Sequence, residues 1–194
     1  VTKQFYKDYR DQFEKLWNEL NDIVDKDPKI AEEFETQTIN TANFAKKLMG
    51  QIVFLYFLQK KGWLGVGKDS NGNFKDWGKG PKNFLRRLYD KEFTDYSNFF
   101  NDVLEPLFYE ALATERTSDV FTQFNCKIPF LNGGLFEPIN DYNWEETDIL
   151  IDNDIISDVL DTFDQYNFTV REDEPLEKEV AVDPEMLGKG FENL

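Results

Sequence analysis

The chain has 194 residues, 40% of them apolar and 16% aromatic, with 19 Phe, which is enough to build a core and argues against wholesale disorder. It has no His, one Cys and a formal net charge of −16. Those numbers exclude Ser-His-Asp and Cys-His catalysis, a histidine general base, Cys/His zinc and an internal disulfide, and the charge read whole disfavours nucleic-acid binding.

Residues 3–25 repeat apolar side chains at Phe5, Tyr9, Phe13, Leu16, Leu20 and Ile23 or Val24, which predicts an amphipathic helix. Asp27-Pro28 stops it and opens a short helix to about Thr36. Asn40 or Thr41 can cap the next helix, which runs to about Lys61 and ends at Gly62. Its stretch Leu48 to Leu58 is apolar nearly all round, as a central buried helix would be. Residues 65–80 hold five Gly and read as an exposed loop. Pro81 fits the first turn of a helix ending near Tyr89. A further helix over 95–113 must kink or restart at Pro106. After Ser118, short apolar pieces alternate with turn residues. Asn153 can cap a helix over 154–166. Phe168–Val170 and Val180–Val182 read as strands paired across the acidic turn between them, and Asp183-Pro184 opens a last helix. The fold class is mainly α, a helical bundle-like domain with a few short strands in the C-terminal third, and there is no internal repeat.

The longest apolar run, Ile52–Leu58, is far too short to span a membrane, and no signal segment opens the chain. Cys126 as the lone cysteine fits a reducing cytoplasm. A start at Val1 without Met and a stop at Leu194 inside a helical pattern read as an excised fragment.

The charge is unevenly laid out. Residues 1–100 carry 17 Lys and Arg against 15 Asp and Glu, whereas residues 101–194 carry 5 against 23. Within residues 43–91, eleven basic side chains face only Asp69, Asp76 and Asp90, with Trp63, Phe74 and Trp77 among them. Such a block attracts phosphate; the plainer reading is a solvated face that balances the acidic half.

Three motifs resemble chemistry and fail on their details. Gly62 to Lys68 has the spacing of a phosphate-binding loop, but the element before it is helical and Asp69 stands where a Ser or Thr would hold magnesium. Asp69-Ser-Asn71-Gly-Asn73 has its glycine fourth instead of sixth for a calcium loop. Val182-Asp183-Pro184, followed by Gly188 and Gly190, suggests the start of an S-adenosylmethionine site, with one residue too many before the first Gly. A helix start with Asp183 as cap and Pro184 at its first position explains it. The acidic run Glu172–Glu179 could hold a hard cation loosely and hydrolyse phosphodiesters; a solvated turn is the simpler account. No catalytic residue and no metal site is assigned.

Several phrases are specific in combination: Phe54–Leu64 (FLYFLQKKGWL), Leu107–Leu112 (LFYEAL), Ile128–Glu137 (IPFLNGGLFE), Phe163–Val170 (FDQYNFTV), Val182–Gly188 (VDPEMLG) and Phe191–Leu194 (FENL). In this order they resemble the helical segment of large bacterial DNA adenine methyltransferases. These include single-chain type IIG restriction–modification enzymes and the methylases of phage-exclusion systems. The resemblance covers about residues 43–194, while residues 1–42 match less clearly and read as N-terminal helices that continue an upstream domain. It implies a connector that follows a nuclease domain, where there is one, and precedes the methyltransferase domain. The catalytic Asn-Pro-Pro-Tyr-type motif and the cofactor glycines of that domain have no counterpart here. S-adenosylmethionine, and Mg²⁺ if a nuclease is present, are therefore expected of the parent and no cofactor of this segment. Gly190 departs from the apolar helix former expected at its position.

The expected partners are the flanking nuclease and methyltransferase domains and duplex DNA, with no membrane. Lys60, Lys61, Lys82, Arg86 and Arg87 are the candidates for DNA-backbone contact, with Lys46 and Lys47 on a helix face. Asn132, Gly133 and Gly134 are a structural turn beneath which Leu135 and Phe136 are expected to pack; Asp183 and Pro184 are a second structural motif. The function read from this is a non-catalytic scaffold from a restriction–modification adenine methyltransferase. The alternative is an acidic protein-interaction module that docks a basic partner.

Overall fold

A computed structural model describes residues 2–169 and 179–181. The chain is mainly α and divides into two compact units, residues 1–57 with 139–194, and residues 58–138. No helix among the described residues is long and apolar enough to cross a membrane.

The first unit is built on three helices: α1 (Thr2–Lys26), α2 (Pro28–Thr36) and α3 (Thr41–Lys60), whose last residues enter the second unit. The apolar stripe of α1 buries Phe5, Tyr9, Phe13, Leu16 and Leu20, as its spacing predicts. Asp27 caps α2, its Oδ1 accepting from the amides of Lys29 (3.0 Å) and Ile30 (3.4 Å), and Pro28 follows at the first helical position. Asn40 rather than Thr41 caps α3, accepting from the Asn43 amide at 2.7 Å. Thr41 instead accepts from Trp17 Nε1 and donates to Asn21 on α1. In α3, Leu48 to Leu58 is buried except for half-exposed Phe54 and Phe57, which bears out the central-helix reading.

The helix α5 (Asn153–Phe163) packs on α1. Its cap is Asp152, one residue before the expected Asn153, and it ends three residues before Tyr166. The reason for the early stop is tertiary. Tyr166 Oη donates to Asp8 Oδ2 on α1 at 2.6 Å, and Tyr56 Oη donates to Asp164 Oδ1 at 2.7 Å, so the residues after Phe163 are held outward to meet two helices. Strands β3 (Asn167–Thr169) and β4 (Glu179–Ala181) do pair, but in parallel register with Phe168 opposite Val180, not as a hairpin across an acidic turn. The acidic turn itself, the final helix with Asp183, Pro184 and Gly190, and the Phe191–Leu194 phrase lie outside the described residues.

The second unit contains α4 (Phe84–Tyr89), the two-residue antiparallel strands β1 (Val120–Phe121) and β2 (Cys126–Lys127), and a wide helical segment over 99–112. That segment begins at Phe99, not Asp95: Asn98 Oδ1 accepts from the Asn101 amide while Asp102 Oδ2 reaches back to the amides of Ser97 and Asn98, a reciprocal cap. A second helical element opens at Pro106, the restart read from sequence. Phe100–Leu104 and Pro106–Leu112 are π-helical, with bonds such as Ala113 N–H to Phe108 O. In an α-helix the proline ring would clash with the carbonyl four residues back. The wide turn accommodates the ring, and Gln123 Nε2 donates to the Asp102 carbonyl at 3.0 Å.

Candidate nucleic-acid interface

The 65–80 segment is exposed over most of its length, as read from sequence, and it is also built. Helix α3 closes at Gly62 (φ +75°), whose amide donates to Gln59 O while the Trp63 amide donates to Leu58 O. This is the paired bond pattern of a glycine-terminated helix. The chain then pairs with β2 through Val66 and Lys127 and turns back on itself, with Lys68 opposite Phe74. At its tip the Asp69 carboxylate accepts from the amides of Asn71 (2.9 Å) and Asn73 (3.0 Å), so the charge that spoils a phosphate loop here organises a turn. At its base the amides of Gly78 (3.1 Å) and Gly80 (2.9 Å) both donate to Gly62 O. The backbones are so close that a Cβ on Gly80 would lie 2.1 Å from Leu64 O.

This throat joins the stretches of chain that carry the candidate cations. Gln59, buried in the last turn of α3, accepts from the Leu85 amide at 3.0 Å. Asn83 makes no side-chain cap to α4, so Gln59 serves as that cap from another helix. Pro81 is therefore outside α4, which starts at Phe84, because Gly80 is already bound to Gly62 and the chain must turn through Lys82 and Asn83 before helix can form. Lys60 and Lys61 stand beside Gln59, and Arg86 and Arg87 beside Leu85. Lys60, Lys61, Lys82 and Arg87 are exposed; Arg86 is half-buried with its guanidinium over Tyr89 at 5.6 Å. Lys46 and Lys47 are half-buried on α3 in the first unit and are not part of this cluster.

Aromatic rings are interleaved with the cations. Lys61 Nζ lies over Trp63 (5.9 Å), Lys68 Nζ over Phe74 (5.2 Å) and Lys127 Nζ over Trp77 (4.5 Å). Lys127 Nζ is fixed by donating to Lys75 O at 2.7 Å. Trp63 and Trp77 are 41% and 38% exposed. Sequence reasoning placed the tryptophans among the charges but missed Gln59 and Lys127. The signal for Gln59 was a lone amide at the end of an apolar helix; Lys127 had none, because its partners lie fifty residues upstream.

The Asn132–Gly134 turn forms as expected, with φ of +125° at Gly133 and +85° at Gly134. Phe136 packs against Phe108 (ring centroids 5.6 Å), but Leu135 is 39% exposed, contrary to its expected place beneath the turn. Cys126 is buried, and burial pushes its thiol up to about 12. It should resist thiol reagents at pH 8 in the folded chain and react once denaturant is added. The neutral thiol is favoured by the fold, so its contribution to stability is present below its ordinary pKa and is lost as pH rises through the folded value. Cys126→Ala should flatten the decline between roughly pH 9 and 12, measured by denaturant titration. No group of three metal-ligating side chains occurs among the described residues.

Charge segregates between the units. Residues 58–138 hold eleven basic and eleven acidic side chains, and the other unit carries the entire −16. The first unit also has a groove of about 430 Å³ lined by Glu19, Asp22, Lys26, Asp27 and Asp148 beside Leu150, which is 56% exposed, with Lys26 paired to Asp22 at 3.0 Å.

No protein-family model matches the chain. No solved structure matches it either. A protein of Methanocaldococcus jannaschii, named as a type II restriction enzyme and methyltransferase, is 31% identical over 218 aligned positions that take in all of this chain. Along its full length the chain is thus related to a restriction–modification protein, and it spans 17% of that relative's length.

Proposed function

We propose that this chain is a non-catalytic helical scaffold of a restriction–modification adenine methyltransferase, holding a nuclease and a methyltransferase domain in register and touching the DNA backbone through its second unit. The supporting observation is the junction of Gln59 with Leu85 and of Gly62 with Gly80, which ties together the stretches of chain that carry Lys60, Lys61, Lys82, Arg86 and Arg87. The relationship to a much longer restriction–modification protein supports the rest. In that parent, S-adenosylmethionine supplies the methyl group and Mg²⁺ serves any nuclease, both at residues outside this chain. Contacts from the five cations go to phosphate, giving affinity and orientation without sequence readout. Replacing Lys60, Lys61, Arg86 and Arg87 by Glu should weaken duplex binding by more than about 100-fold in fluorescence anisotropy at about 50 mM salt. Unchanged affinity in that variant would refute the reading.

A second reading, docking of a basic partner, is favoured by the acidic groove beside Leu150. Binding to a basic protein but not to duplex DNA would select it.

A further inference from the structure

The throat does more than gather cations. Trp63 follows Gly62 and Trp77 precedes Gly78, and those two glycines are bonded to each other at 3.1 Å. The pairing therefore sets both exposed tryptophans at the base of one hairpin, each with a lysine ammonium against its ring. A phosphate surface needs only charge. Two half-exposed indoles cost hydration and add nothing to phosphate affinity, so they call for a ligand with flat apolar faces as well as negative charge. An intact duplex hides its base faces; an unpaired stretch exposes them.

We infer that the hairpin over residues 62–80 is a stacking platform for unpaired bases, with Trp63 and Trp77 taking base faces and Lys61, Lys68 and Lys127 taking the flanking phosphates. This rests on the DNA-contact reading and deepens it: the preferred ligand is a duplex opened over a few bases. Every base has a π-face, so the preference is tolerant of sequence. The hairpin is suited to this because its rings are mounted on a fixed frame. Gly62 holds the backbone in the left-handed region, the Asp69 turn closes the tip, and the Lys127 bond to Lys75 O fastens the side of the hairpin to β2. Little conformational freedom remains to be lost when a base stacks.

The test compares an intact duplex with one of equal length carrying a short central bubble of mismatched bases, so that phosphate number is constant. The whole chain should bind the bubble about tenfold more tightly. In Trp63→Leu and in Trp77→Leu the ratio of the two affinities should fall towards one, whereas Trp77→Phe, which keeps a ring, should retain most of it. Melting curves identify any variant that fails to fold, and the two tryptophans are tested separately so that one failure leaves the other. Equal wild-type affinity for bubble and duplex would overturn the stacking inference and leave the phosphate reading standing. A preference that survives both Leu variants would overturn it too. Absence of binding to either DNA would overturn both.

Discussion

Gly80→Ala is expected to lower the melting temperature by roughly 6–12 °C, the equivalent of about 3 kcal/mol for a chain of this size. The added Cβ would sit 2.1 Å from Leu64 O and 2.9 Å from Gly62 O, backbone atoms that cannot swing aside as the end of a side chain can. Relieving it means parting Gly80 from Gly62, and with that bond go the approach of α4 to α3 and the Gln59 cap on Leu85. Gly67→Ala is the control. A Cβ there meets nothing within 4 Å and the backbone is not left-handed, so the change should stay within about 0.5 kcal/mol. Equal melting temperatures for the two variants, followed by circular dichroism, would show that the throat yields without cost.

Phe163→Ala should cost the first unit about 3–5 kcal/mol, the range for truncating a fully buried aromatic. Phe163 is the last residue of α5 and has four rings around it: Tyr56 edge-on at 5.5 Å, Phe5 at 5.9 Å, and Tyr9 and Phe168 at 6.0 Å. Those rings come from α1, α3 and β3, so the cavity left by truncation opens where α5 meets all three. Phe163→Leu, which keeps most of the volume, should recover a large part of the loss in the same denaturant titration. Loss of less than about 1 kcal/mol in Phe163→Ala would mean the cluster repacks around the gap.

How much was legible in the sequence depended on how local the cause was. Helices α1 and α2 were read nearly to the residue because the stripe from Phe5 to Leu20 and the Asp27-Pro28 cap lie within the elements they define. The Gly133–Gly134 turn was equally local. Where a partner far along the chain decided the outcome, the reading drifted. Pro81 has every local qualification to begin a helix and does not, because Gly80 is bound to Gly62. Tyr166 reads as the end of α5 and leaves it to reach Asp8. Around Pro106 the chain is π-helical, and the Asp102 carbonyl takes a bond from Gln123, far outside the element. The candidate cations were visible as a cluster in the sequence, but the junction that ties their stretches of chain was not, since it runs through Gln59 and two glycines whose roles exist only in three dimensions.

Salt dependence of wild-type binding distinguishes a second unit that grips DNA by its phosphates from one that does not. If all five cations are engaged, the logarithm of the association constant for intact duplex should fall against the logarithm of salt with a slope of about −4.5. Binding that is flat with salt, or no binding at about 50 mM, would contradict it and leave the chain a scaffold that meets only protein.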